Sequence, residues 1–222
     1  MASRVRLRRS ILSAMAATAA LATGCATSRG TLDVRVPVVQ NPATGIEVKL
    51  TEVADQRVFE RAPSQPSTPS LKDDRIEDRS TTDRAIARKR NGYGKALGDI
   101  LLPEGRTVAQ LGREAITRGL RESGYRVLED GAPGFAGATP LQAEIERFWA
   151  WFTPGFWAVH LEFEALIRVS GPIDPFADGE EFRGYVRLGS GAATGRVYLN
   201  TINQGLEALD ADIKSKLQPA NR

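Results

Sequence analysis

The chain of 222 residues carries 30 basic and 27 acidic side chains, a net charge of +3, with one cysteine and one histidine. One cysteine excludes an internal disulfide, and one histidine excludes a metal site built from several histidines. The positive charge does not indicate nucleic-acid binding. Four arginines and no acidic residue lie within the first 24 residues, so the chain without them carries −1.

Residues 1–24 have the pattern of an export signal. Four arginines precede an apolar run from Ile11 to Leu21, and the small residues Ala22-Thr23-Gly24 precede Cys25. The run is about half of the ~20 residues that cross a bilayer, so it predicts a cleaved signal peptide rather than a transmembrane helix. The export route, Sec or twin-arginine, stays open.

The residues around Cys25 resemble a bacterial lipoprotein cleavage box. In such proteins the thiol after the cut receives a diacylglycerol and the freed amine an acyl chain such as palmitate, which implies lipid attachment at Cys25 and a short tether over 25–30. Two or three chains, at about 0.8 kcal/mol per buried methylene, hold a protein on a membrane. Ala26 stands where an aspartate would favour the inner membrane, so the resemblance implies the outer membrane, facing the periplasm. The alternative is an ordinary secretory signal with Cys25 as a leftover thiol.

Residues 31–222 are predicted to form a single α+β domain with a mixed, mostly antiparallel sheet and two amphipathic helices packed on one face. Alternating and β-branched segments predict strands at Thr31–Val39, Ile46–Val53, Tyr125–Leu128, Leu141–Phe152, Phe156–Val169 and Glu181–Leu188. Thr107–Ser123 is predicted to be a helix, with a capping box at Thr107 and Gln110 and a stop at Gly124. A closing helix has Ile202, Leu206, Leu209, Ile213 and Leu217 on one face.

Residues 60–91 differ in composition from the rest of the chain. Prolines among serines and threonines are followed by densely mixed charges with few apolar side chains. Such a segment cannot bury enough surface to offset its ordering entropy, so it is predicted to be a disordered insertion. The alternative is a docking arm for a charged partner.

Several short motifs resemble those of the YajG-like bacterial lipoproteins. They are Ile46 to Arg57 ending in Ala-Asp-Gln-Arg, a helix running into Gly124-Tyr125-Arg126-Val127, and Leu141-Gln142-Ala143-Glu144-Ile145 before a closing helix. The long charged segment and the aromatic residues near Pro154 depart from that pattern. The resemblance implies a location in the cell envelope and a fold, and it assigns no catalytic residue.

Aromatic side chains crowd the predicted hairpin around Pro154. Uninterrupted alternation places Trp149, Trp151 and Trp157 toward the core and Phe148, Phe152 and Phe156 on the opposite face. These six residues are the candidate partner or ligand surface, since a phenylalanine cluster on a charged face suits a partner protein or a lipid. The alternative is that the loop from Pro172 to Phe176 covers the phenylalanines.

No catalytic residue and no metal site is predicted. His160 is the only histidine, lies among glutamates and is predicted to be a solvated side chain. Glu162 and Glu164 are expected to lie across from Glu144 and Glu146 on the polar side of a sheet. The expected function is a non-enzymatic, lipid-anchored accessory or assembly protein that binds another envelope protein. The alternative is a binding module for a small apolar or lipid ligand. No cofactor besides the covalent lipid and no nucleic-acid partner is expected.

Overall fold

A computed structural model describes residues 29–72, 75–91, 95–155 and 159–217. Cys25 and the predicted export signal, as well as Phe156 and Trp157, lie outside the described residues. The described residues form, in chain order, β1 (Gly30–Thr31), β2 (Glu47–Asp55), α1 (Arg79–Thr82), β3 (Ala85–Arg90), β4 (Ala96–Leu101), α2 (Val108–Glu122), β5 (Arg126–Val127), β6 (Thr139–Thr153), β7 (Val159–Ser170), β8 (Glu180–Ser190) and α3 (Gly195–Leu217).

The long strand β6 organises the sheet. On one side it pairs antiparallel with β7, which pairs antiparallel with β8. On the other side, β2 runs parallel to the first half of β6 and β3 runs parallel to the second half. β5 extends the sheet next to β2, while β4 pairs with β3 and carries β1 along its outer edge.

The predicted α+β class is confirmed, but the sheet is mixed rather than mostly antiparallel. Four strand pairings are parallel and three are antiparallel. Parallel neighbours need long crossover connections, and this chain supplies them through the segments that contain α1 and α2.

Helix α2 begins and ends as predicted. The Gln110 backbone N–H donates to Thr107 Oγ1 at 3.2 Å, and the Thr107 N–H donates to Gln110 Oε1 at 3.0 Å. This capping box satisfies donors that a helix start otherwise leaves unpaired. Gly124, with φ at +94°, turns the chain out of the helix.

Helices α2 and α3 cover one face of the sheet and form the main core with it. The contacts of α3 with β8 and β7 are close enough to require glycine at two positions. A Cβ at Gly184 would lie 2.2 Å from the Gly205 carbonyl oxygen, and a Cβ at Gly205 would lie 2.1 Å from the Phe163 ring. The predicted apolar face of α3 is buried in this core.

Residues 32–39 do not form the strand that the sequence predicts for Thr31–Val39. Only Gly30 and Thr31 pair with β4, and the chain then crosses α2 and α3 as an irregular strap. Val34 is fully buried in the main core, and Arg121 donates to the Val39 carbonyl at 3.0 Å. The alternation of apolar residues here therefore reflects packing on helices.

Residues 60–91 also differ from the disordered insertion that their composition predicts. The described part contains α1 and β3, and Ser70, Leu71 and Ile86 have no exposed surface. The physical reason lies outside the segment, because β6 supplies the aromatic surface that these side chains bury. A prediction made from the composition of one segment takes no account of the apolar surface that another element provides.

Candidate functional site: the outer face of the sheet

One extra residue in β6 reverses the faces of its aromatic side chains. The pairing of β6 with β7 shifts between Ile145 and Arg147, so Glu146 has no residue opposite it. A slip of one residue moves every later side chain to the other face of the sheet. The predicted assignment, which assumed uninterrupted alternation, is therefore wrong for the four described aromatic residues, Phe148, Trp149, Trp151 and Phe152.

Phe148 and Phe152 belong to the main core and not to a partner surface. Phe148 is fully buried and meets Phe163 edge-to-face, with ring centroids 5.0 Å apart. These two phenylalanines share the main core with residues of α2 and α3, and Phe176, from the loop that was the alternative cover, is buried in the same core. Aromatic pairs of this geometry contribute beyond their buried area.

Trp149 and Trp151 lie instead on the outer face, away from the helices. They form a second apolar cluster with Leu71, Ala85 and Leu101. Residues 58–71, the cover segment, lie over this cluster without forming a helix or strand. Trp149 Nε1 donates to the Pro66 carbonyl at 3.3 Å, which fixes the cover segment to the sheet.

An open groove of about 290 Å³ remains between the cover segment and the sheet. The tryptophan groove is defined by six of its lining residues, Val58, Pro69, Arg147, Trp149, Trp151 and Glu164. Its volume lies near the lower end of the roughly 300–1,000 Å³ typical of small-molecule pockets. The groove therefore fits a short segment of a partner or a small ligand.

Arginines neutralise the carboxylate at the rim of the groove. Arg147 donates to Glu164 at 2.8 Å and Arg183 donates to it at 2.7 Å. The Glu164 side chain is buried, whereas the two arginine side chains are 58% and 57% exposed. Charge-assisted bonds of this kind fix the carboxylate and leave arginine N–H groups at the surface.

Glu162, the neighbouring residue of β7 on the same face, is also held by hydrogen bonds from other side chains. It accepts hydrogen bonds from Thr153 at 2.7 Å and from the Tyr185 hydroxyl at 2.6 Å. The bond to Glu162 raises the pKa of Tyr185, because it favours the neutral phenol. Both carboxylates are therefore held in place by side chains of the sheet.

The register also corrects the expected neighbours of these glutamates. Glu162 lies opposite Trp151 and Glu164 opposite Trp149, whereas Glu144 pairs with Arg168. His160 is half-buried rather than solvated, and its Nδ1 atom has no hydrogen-bond partner among the described residues.

Neither a metal centre nor a membrane-spanning helix was found in the described part of the chain. No three or more His, Cys, Asp or Glu side chains within those ranges are grouped as metal ligands. None of the described helices combines the length and the apolar character needed to cross a bilayer.

Arg57 fastens the start of the cover segment. Its buried guanidinium forms two bonds to Asp55, at 2.8 and 2.7 Å. Its other N–H groups donate to the carbonyls of Ala85, Phe148 and Thr82, at 2.6, 3.1 and 2.9 Å. All five donors of the side chain are therefore used, which gives the Asp-Gln-Arg end of β2 a structural role.

The sequence reasoning missed Arg147, Arg183, Tyr185 and the cover segment as parts of this face. A signal was present in β6, where the adjacent polar residues Glu146 and Arg147 interrupt the alternation. The five apolar residues that follow, 148–152, are the pattern of a strand buried on both faces.

Comparison with known proteins gives no assignment. No protein-family model and no curated protein matches the sequence. One similar solved structure is an uncharacterised protein, 10% identical with a TM-score of 0.43, covering 86% of this chain and 99% of its own. Another is a Xanthomonas campestris protein of the DUF330 family, 13% identical with a TM-score of 0.41, covering 85% of this chain and 94% of its own. Both likenesses are too distant to carry an argument about function.

Proposed function

We propose that this chain is a YajG-like lipoprotein, anchored through acyl chains on Cys25 to the outer membrane and facing the periplasm. It acts without catalysis, as an accessory or assembly protein that binds another envelope protein. The observation that carries the proposal is the tryptophan groove, in which two tryptophans lie beneath an arginine-bearing rim. Tryptophan and arginine are enriched at the residues that dominate binding energy in protein interfaces.

The free edge of β8 supports a protein partner. Arg183 N–H points away from β7 and donates to Asp212 of α3 at 2.8 Å. By the alternation of a strand, Tyr185 and Arg187 direct their backbone groups to the same side. Those groups have no such partner among the described residues. An extended segment of a partner can pair with an edge of this kind and place side chains in a neighbouring groove.

A small apolar or lipid ligand is the second candidate. It is favoured by the position of the groove, which lies between the sheet and a covering segment beside the tryptophans. The polar rim and the volume of about 290 Å³ favour a protein segment over a long acyl chain.

Site-specific photo-crosslinking in cells tests the main proposal. A photoreactive residue replaces Val58, which is 73% exposed at the groove, and the matched control replaces Val38, which is 83% exposed on the strap. We expect one envelope protein to be captured from position 58 and not from position 38.

Charge reversal makes this test specific to the groove. Arg147→Glu should reduce the capture at least tenfold, whereas Arg168→Glu should not; both arginines lie in the sheet and pair with one glutamate, at 2.8 and 3.3 Å. Equal capture from positions 58 and 38, or equal effects of the two substitutions, would contradict the proposal. A tryptophan fluorescence shift on adding lipid extract, without protein capture, would favour the second candidate.

A further inference from the structure

The tether leaves the domain at one identifiable end of the sheet. β1 runs parallel to β4 with Gly30 opposite Ile100, so the course of the strand leads from Gly30 back toward Ala96. Arg29 follows this course, because its Nε donates to Asp99 at 3.0 Å. Cys25 precedes Gly30 by five residues, a span of at most about 18 Å. An anchor at Cys25 therefore attaches near the end of the sheet where β3 and β4 are joined.

Other elements reach the same end. β3 runs parallel to β6 with Ala87 opposite Ala150, which places Arg90 level with Thr153. β8 finishes there, with Ser190 opposite Val159. Helix α3 begins close by, since the Tyr198 hydroxyl donates to the Arg88 carbonyl at 3.3 Å.

This end of the molecule is basic. We define the tether end by the basic side chains that these elements carry, Arg29, Arg88, Lys89, Arg90, Lys95 and Arg196. The sequence contains no acidic residue over 84–98, 153–161 or 188–206. Asp99 is bound by Arg29, and Glu162, which accepts from Thr153 at 2.7 Å, lies 4.0 Å from Arg187.

The tether end keeps an excess of positive charge when the carboxylates at its edge are included in the count. Lys72 lies beside Asp99, to which its backbone N–H donates, and Asp73 and Asp74 follow it in the sequence. Including all of these together with Arg187 and Glu162, eight basic side chains stand against four carboxylates, a net charge of +4. The chain from Cys25 onward carries −1 in total, so the positive charge is concentrated at the tether end.

We propose that the tether end rests on the anionic phospholipid headgroups of the membrane that holds the acyl chains. The inference rests on the proposed anchor at Cys25, which keeps this end within reach of the surface. Each basic side chain near an anionic surface strengthens binding about fivefold, equivalent to about 1 kcal/mol. The contact orients the domain, so the tryptophan groove lies near the membrane, because Trp151 is two residues from Thr153.

Vesicle flotation tests the contact without the anchor. The full chain from residue 25 carries Cys25→Ser, so it has no acyl chains, and is mixed with phosphatidylcholine vesicles with or without about one-third phosphatidylglycerol. We expect flotation with the anionic vesicles only, weakening as salt is added, because screening shortens the range of the attraction.

Paired substitutions locate the contact. Lys89→Gln with Lys95→Gln should weaken binding to the anionic vesicles about thirtyfold. Arg35→Gln with Arg168→Gln removes the same charge from half-exposed or exposed residues away from the tether end, and should change binding less than about twofold. Thermal unfolding confirms that each variant is folded, and Lys95→Gln with Arg196→Gln replaces the first pair if it is not.

Two results would overturn the proposal: no preference for anionic vesicles, or equal losses in the two double variants. Its failure is distinguishable from failure of the proposed function. Release of a Cys25→Ser chain from the membrane fraction in cells tests the anchor, and capture from position 58 tests the groove.

Discussion

The two faces of the sheet bury aromatic side chains in different ways. On the helix-covered face, Phe148 and Phe163 pack among residues of α2 and α3, which are themselves regular elements. On the outer face, Trp149 and Trp151 are covered by residues 58–71, which form neither helix nor strand. Regular packing therefore stabilises one face, whereas the irregular cover leaves an open groove on the other.

Removal of an aromatic ring from the helix-covered face is expected to have the largest effect. Phe148→Ala leaves a cavity between β6 and β7 and the helices, where neighbours are held by regular structure and relax little. The free energy of unfolding should fall by about 3–5 kcal/mol, measured by urea denaturation. A loss below about 1 kcal/mol would contradict the assignment of Phe148 to the main core.

Leu71→Ala should have a smaller and more local effect. Leu71 is fully buried under the cover segment, which can move to fill part of the cavity, so we expect a loss of about 2 kcal/mol. Proteolysis should then cut within 58–71 before global unfolding. Leu111→Ala in α2, also fully buried, is the matched control and should lower global stability without selective cleavage. Identical proteolysis patterns would remove the distinction between the faces.

The helix-covered half of this comparison was largely predictable from the sequence. The capping box at Thr107, the stop at Gly124 and the apolar stripes of α2 and α3 are local signals, and each is realised. The outer half was not, because it depends on one bulged residue, Glu146, and on contacts between residues far apart in the chain. Arg57 illustrates this, since its partners include carbonyls 25, 28 and 91 residues away.

Acidification should weaken the contact between the two helices. Lys214 of α3 and Arg118 of α2 donate to Glu122, at 2.7 and 3.0 Å, and lower the pKa of Glu122 to about 2. Because this pKa lies below the ordinary value of 4.5, the stabilisation is complete above about pH 4.5 and is lost as pH falls toward 2. Burial raises the pKa of the neighbouring Asp210, whose contribution changes in the opposite direction and offsets part of the loss.

Glu122→Gln should therefore flatten the acid dependence of stability. The expected difference is about 1 kcal/mol or less, because solvent screens this partly exposed pair. Urea midpoints measured at about pH 6 and pH 3 would show it. An unchanged slope between these pH values would mean that the ion pair does not link the helices.

A similarly small effect is expected for Tyr185→Phe on the outer face. It removes the 2.6 Å hydrogen bond to Glu162, which keeps its bond to Thr153. Tyr185 is 40% exposed, so the loss should be about 0.5–1 kcal/mol by urea denaturation. The proteolysis pattern should stay that of the unaltered chain. Cleavage within 58–71 would show that this bond supports the cover segment.

The hydrogen bonds of Arg57 have a consequence for how this protein can diversify. Arg57, just after β2, donates to the carbonyl of Thr82, 25 residues away. This bond fixes the two ends of the connecting segment, whatever residues the segment contains. Changing the length of such a loop costs little, about 0.6 kcal/mol per doubling. Insertions and deletions between positions 58 and 81 can therefore reshape the outer face of the sheet while the framework keeps its geometry, so this surface can change in evolution without loss of the fold.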